Sequence, residues 1–345
     1  MSILPIPPQE AAKKALAGIS GRRMRDVLEK RYGLKGGKKR TLEAIGTEYK
    51  ITRERVRQIE AEALRHIRKP DIIGGVEPLL AAMKEHIHRH GDVMSERHLF
   101  DTLGSPNIHP HLAFFLDVGN SFHFLPETDS FHARWTTDKG TSQNVEKAIS
   151  GVLEELDEKR VSVPLKELDA MIASHGERSL GHMPEEPARQ AYLATSKLIR
   201  QNPYGEYGIV GWPHISPSGV KDKAYVALEK AKKPLHFREV AEEINKAGWT
   251  NKKAHPQTVH NELIKDPRFV LVGRGLYALK EWGYEPGPVR DVVMSVLKAA
   301  SRPLSKDEII QAVLKRRLVK PPTVLLNLQN ADFFKRMEDG RYTLV

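Results

Sequence analysis

A chain of 345 residues with 40% hydrophobic and 29% charged side chains is too long for one core and too apolar for wholesale disorder, so several small units are expected. It contains no cysteine, which excludes disulfides, thiolate nucleophiles and Cys-ligated zinc or iron–sulfur clusters, and no apolar run approaches the roughly eighteen residues that a bilayer requires. The net charge of +11 is concentrated in one place: from Ser20 to Pro70 sixteen Lys or Arg face seven acids, while the 275 residues beyond sum to about +1. One basic module on a near-neutral body points to a polyanionic partner, in a cytoplasmic protein without a membrane segment.

The first 19 residues read as an N-terminal tail, followed by a helix-turn-helix over 20–72. Arg22 to Tyr32 forms an amphipathic helix with Met24, Val27 and Leu28 inward, stopped by Gly33 and the basic loop Lys35 to Arg40. Thr41 caps a short helix, Leu42 to Tyr49, in which Leu42, Ile45 and Tyr49 share a face and Gly46 permits close approach. After a tight turn at Lys50-Ile51, Thr52 caps a longer helix running to about Lys69, before Pro70. On this last helix Val56, Ile59, Ala63 and Ile67 fall on one face and pack inward. Glu54, Gln58 and Arg65 lie opposite, with Arg55 and Arg57 on the flanks and Arg53 in the first turn. Arg and Gln are the side chains that read guanine and adenine bidentately, and a carboxylate can accept from cytosine, so this composition suits a recognition helix in double-stranded DNA.

The runs Arg25-Asp26-Val27-Leu28-Glu29-Lys30-Arg31-Tyr32-Gly33-Leu34, Thr41-Leu42-Glu43-Ala44-Ile45-Gly46 and Thr52 to Arg65 closely resemble region 4 of primary bacterial sigma factors. The resemblance covers about fifty residues. It implies a module that reads the upstream promoter hexamer and rests on the flap of the β subunit of core RNA polymerase. By position, Arg53, Glu54, Arg55, Arg57 and Gln58 would meet bases or neighbouring phosphates and Thr41 would hold a phosphate. Val27, Leu28 and Tyr32 become the candidates for polymerase docking. Lys50 departs from the Gly or Asn that is comfortable in such a turn, and nothing downstream resembles the promoter-melting region of a sigma factor.

From residue 76 one pattern recurs about every seventy residues: a helix, a short step, then apolar residues five and nine positions apart. It is seen at Met94, Leu99, Leu103; Val163, Leu168, Ile172; Leu235, Val240, Ile244; and Leu304, Ile309, Val313. The last two copies close with hairpins, Phe269 to Leu279 around Gly273-Arg274-Gly275 and Phe333 to Leu344 around Asp339-Gly340. Four winged-helix units are expected, at 76–138, 140–216, 218–284 and 286–345. The fold class is therefore mainly α with small β-hairpin wings, a helix-turn-helix followed by about four tandem winged-helix units. The third copy, Val220 through Gly283, resembles the HARE-HTH family, which includes the N-terminal domain of the RNA polymerase delta subunit and modules beside restriction enzymes and chromatin regulators. The near-neutral charge of these units suits protein docking or spacing for some of them.

Catalytic chemistry is not expected, nor any cofactor or metal. His86, His88 and His90 alternate along a helix and point apart, and the glycine pairs lack the following Lys-Ser or Lys-Thr of a phosphate-binding loop. The sequence thus points to a DNA-binding transcription factor that associates with bacterial RNA polymerase. The alternative is a DNA-binding accessory protein of a restriction, defence or phage system. A nuclease would require a cluster of acids and Lys on strand ends, which the pattern lacks.

Overall fold

The computed structural model describes residues 3–250 and 252–345. The chain divides into two compact units, Met1–Arg200 and Gln201–Val345, and the described residues are mainly helical with small antiparallel sheets of two or three strands.

In the first unit the opening segment is not a tail. Pro7 and Pro8 start helix α1 (Pro8–Ala17), which buries Ala11, Ala12, Ala15 and Leu16. Its small side chains let the helix lie close against its neighbours, and Ile19 beyond it is also buried. α2 (Arg22–Tyr32) ends at Gly33, whose φ of 74° is open to glycine at little cost. α3 (Leu42–Tyr49) and α4 (Arg53–Ile67) are the helix-turn-helix pair. A short α5 (Pro70–Ile73) leads to α6 (Glu77–Arg89), β1 (Val93–Ser95), α7 (Glu96–Leu103), α8 (His109–Val118), β2 (His123–Leu125) and β3 (Arg134–Thr136). The strands pair in the order β1-β3-β2, with Met94 and Phe124 both opposite Trp135. This is the succession of a winged helix, with α8 as its third helix. α9 (Lys139–Lys159), β4 (Val163–Pro164), α10 (Leu165–Leu180) and α11 (Glu186–Leu193) follow, and the division between units falls within β5 (Ile199–Gln201).

The apolar residues of α2 and α4 serve two cores. Val27, Ile45, Val56 and Ile59 form a small cluster inside the helix-turn-helix. Leu28, Tyr32, Ala63 and Ile67 enter a much larger one with Leu79, Met83, Leu99, Leu112, Phe114 and Phe115 of the following winged helix. The helix-turn-helix and the first winged helix therefore share a core and form a single packed body.

The second unit contains β6 (Glu206–Ile209), then α12 (Val220–Ala231), β7 (Leu235–His236), α13 (Phe237–Ala247), α14 (Pro256–Lys265), β8 (Phe269–Gly273) and β9 (Leu276–Leu279). The sheet order is β7-β9-β8, with a register shift between Leu271 and Gly273 that bends the wing. α15 (Val289–Ala300), α16 (Lys306–Arg316), α17 (Pro321–Leu328), β10 (Phe334–Arg336) and β11 (Tyr342–Leu344) repeat the order, and Leu304 bridges to Tyr342 where the third strand stands in the preceding copy. Each copy has its own core, one around Leu228, Val240, Val259 and Tyr277, the other around Val293, Ile309, Val324 and Phe334.

Candidate nucleic-acid interface

The geometry of the helix-turn-helix begins with its turn. Lys50 adopts φ 53° and ψ 44°, the left-handed conformation, so that the chain reverses between α3 and α4. Gly46 lies under this turn. A Cβ there would stand 2.7 Å from the Ile51 carbonyl oxygen, so the residue must be glycine for the turn to close. Each helix is then started by a threonine. Thr41 Oγ1 accepts the Ala44 N–H and Thr52 Oγ1 accepts the Arg55 N–H, both at 3.1 Å. Both hydroxyls thus set where the helices begin.

With α4 fixed in this way, Arg53, Glu54, Arg55, Arg57, Gln58 and Arg65 are all exposed, while Val56, Ile59, Ala63 and Ile67 are buried. The polar strip is partly pre-arranged. Arg57 donates to Glu54 through Nε at 2.9 Å and Nη2 at 2.7 Å, and Arg55 Nη1 donates to Gln58 Oε1 at 3.1 Å. The Arg57 hydrogen bond holds the Glu54 carboxyl below its ordinary range, so the strip carries a fixed negative charge between cations. Arg53 and Arg65 make no ion pair among the described residues. Beside them stand cations that the recognition pattern passed over. Lys50 is exposed directly before α4, and Lys38 and Lys39 are exposed in the α2–α3 loop. Their signal was the charge of the segment, not its helical periodicity.

Val27, Leu28 and Tyr32 do not offer a docking surface: their exposures are 0%, 0% and 5%. Val27 belongs to the inner core of the helix-turn-helix. The other two are covered by α8. The Tyr32 ring meets Phe114 edge-on at 5.3 Å, and its hydroxyl donates to Asp117 Oδ2 at 2.7 Å. Arg68, just beyond α4, donates from Nε to the Val118 carbonyl at 3.0 Å and from Nη2 to the Asp117 carbonyl at 2.6 Å. His111 Nε2 donates to the Leu34 carbonyl at 3.2 Å. The third helix of the first winged helix is therefore engaged in internal packing, with Leu112, Phe114, Phe115 and Leu116 buried.

In the second unit α14 exposes Gln257, Thr258, Asn261 and Lys265, and Arg274 is exposed at the wing tip. His236 caps α13, completing a reciprocal box with Glu239, whose carboxylate accepts the His236 N–H at 2.7 Å. Among the described residues no group of three or more His, Cys, Asp or Glu is placed to hold a metal ion, and no helix is long and apolar enough to cross a membrane.

The exposed polar strip on a capped third helix defines a helix-turn-helix domain of the DNA-reading type. Residues 21–69 match the family Sigma-70, region 4. Residues 219–282 match the HARE-HTH family, a helix-turn-helix domain named in part for its occurrence with restriction endonucleases. Relatives include RNA polymerase sigma factor SigA of Nostoc, 52% identical over 63 residues, which are 18% of this chain and 16% of the relative. SigA1 of Synechococcus elongatus is 59% identical over 49 residues, 14% and 12% of the two chains. SigA of Clostridium acetobutylicum is 59% identical over 44 residues, 13% and 12%. The chain thus spans 16% or less of the length of these relatives, and the similarity lies in the sigma region 4 segment.

Proposed function

We propose that this protein is a non-enzymatic, cytoplasmic DNA-binding transcription factor that associates with RNA polymerase. Its reader is the region 4-like helix-turn-helix, and its winged helices act as DNA-binding or docking modules. The observation that carries this reading is α4: five exposed donors or acceptors, Arg53, Glu54, Arg55, Arg57 and Gln58, in its first two turns, on a helix fixed by the Thr52 cap and two buried faces. Base edges in a major groove are met by the N-terminal part of such a helix, while neighbouring Lys side chains neutralise phosphates. Relatives named as sigma factors of RNA polymerase support polymerase as the partner. The proposal that the β flap is the contact needs a surface other than Leu28 and Tyr32, or release of α8 from them.

Binding of the full chain to core polymerase, with and without the flap tip, tests the partner. Transcription from core plus this protein alone tests whether it supplies promoter opening, for which no activity is expected. Failure to bind core, combined with tight binding to duplex DNA, would favour a restriction or defence accessory, which the second matched family's description brings into view. DNA cutting dependent on a divalent ion would overturn the non-enzymatic reading.

A further inference from the structure

We infer that the fourth winged helix recognises an acidic amphipathic protein helix through α17, and not DNA. The third helices of the winged units differ in what they expose. α8 is sealed within its own unit, and α14 presents amides and a lysine. α17 begins Pro321-Pro322-Thr323. The two prolines have no N–H, and the Thr323 N–H is turned back onto the Lys320 carbonyl at 2.9 Å. The first turn consequently lacks the backbone donors by which a helix N-terminus holds a phosphate. The side chains offer no substitute. Asn327 donates its amide to the Thr323 carbonyl at 2.7 Å, Val324 and Leu328 are buried, and the outward residue at the helix centre is Leu326, 68% exposed. One turn earlier stands exposed Pro322, so the face is apolar and poor in donors where a base-reading helix is rich in them.

Charge identifies the occupant. Residues 314–337 contain six Lys or Arg and one acid, a local concentration hidden by the near-neutral sum of the chain beyond Pro70. Arg316 is paired with Glu285 and Arg317 is buried, but Lys315, Lys320, Lys335 and Arg336 are exposed and form no ion pair among the described residues. These cations lie on the segments leading into and out of α17, and exposed Leu318 lies between two of them. An apolar helix face bracketed by unpaired cations complements a helix with a leucine stripe and flanking carboxylates.

The test titrates the full-length protein into two fluorescent helix-forming peptides that share one leucine stripe and carry Glu or Lys on its flanks. The Glu peptide should bind at least tenfold more tightly. Leu326→Asp should lose at least tenfold of that affinity, whereas Ile264→Asp, at a comparably exposed position on α14, should not. Leu326 is exposed, so its substitution leaves the core intact, and an unchanged melting curve verifies this. Equal binding of the two peptides, or indifference to Leu326→Asp, would overturn the inference. So would a K315E/K320E double variant that weakens duplex-DNA binding of the full chain while leaving the Glu peptide unaffected.

Discussion

The Tyr32 hydroxyl donates to Asp117 at 2.7 Å across 85 residues of sequence, fastening the end of α2 to the end of α8. Burial and the neighbouring Asp117 carboxylate push the Tyr32 phenol well above its ordinary range, so it remains a donor at any physiological pH. Tyr32→Phe should cost about 1 to 2 kcal/mol, the value of a hydrogen bond to a charged acceptor. Leu28→Ala, which opens a cavity between the two helices, should cost roughly 2 to 5 kcal/mol. Urea denaturation of the full chain measures both. A larger loss for Tyr32→Phe than for Leu28→Ala would show that the contact between α2 and α8 is held by polarity and not by packing.

Arg57→Ala and Gln58→Ala should each weaken binding to the preferred site roughly ten- to a hundredfold, with a much smaller effect on random DNA. Glu54→Ala releases Arg57 from its two-pronged restraint and removes a carboxylate from the strip. It should strengthen binding to random DNA and reduce the preference for the chosen site. Parallel titrations on specific and scrambled duplexes provide the measurement, and equal losses on both would reassign Arg57 and Gln58 to phosphate contacts.

Lys50 sets conformational strain against charge. Glycine tolerates its left-handed backbone better, so Lys50→Gly should stabilise the protein by about 0.5 to 1 kcal/mol. The same change removes a cation next to the recognition helix, and the dependence of log K on log salt should become shallower by about one. Improved stability with an unaltered salt slope would exclude Lys50 from the DNA contact. For the whole chain, about five neutralised phosphates correspond to a slope of roughly −4 to −5, carried mostly by residues 20–70.

His86 is buried between α6 and α7, where Nε2 hydrogen-bonds Thr102 Oγ1 at 2.8 Å and the His90 ring lies 4.3 Å away. Burial, reinforced by His90, His98 and Arg89, pushes its pKa down to about 4. The unfolded chain takes up this proton near the ordinary histidine value of 6.5 and the folded chain does not. The stability from keeping His86 neutral is therefore complete above pH 6.5 and lost as the pH falls towards 4. Between pH 7.5 and 5 the loss should be about 2 kcal/mol. His86→Gln should flatten this part of the stability–pH curve, and an identical curve would place the acid sensitivity in another group.

Much of the reader was legible because its signals are local. Thr41 and Thr52 mark helix starts, Gly33 marks an end, and Val56, Ile59, Ala63 and Ile67 recur at helical spacing. The hairpins around Gly273-Arg274-Gly275 and Asp339-Gly340 were visible for the same reason. What escaped depends on pairing between distant elements. Val27 and Leu28 are adjacent in sequence and both apolar, yet they enter different cores, and periodicity cannot say that the second face of α2 is met by Phe114. α1 escaped because Ala11, Ala12 and Ala15 give little contrast of hydrophobicity behind a proline-rich start. The cations around α17 were obscured by summing charge over 275 residues instead of a local window.

The common core of α2, α4 and α8 also sets what can be transplanted. A cassette cut at the limits of the recognisable fifty residues would carry Leu28, Tyr32, Ala63 and Ile67 away as a raw apolar wound and leave its mirror image on the remainder. The smallest piece able to move intact into another protein begins with α1 and ends after β3. Any lineage that inherited the reader in its present form had to inherit the first winged helix with it.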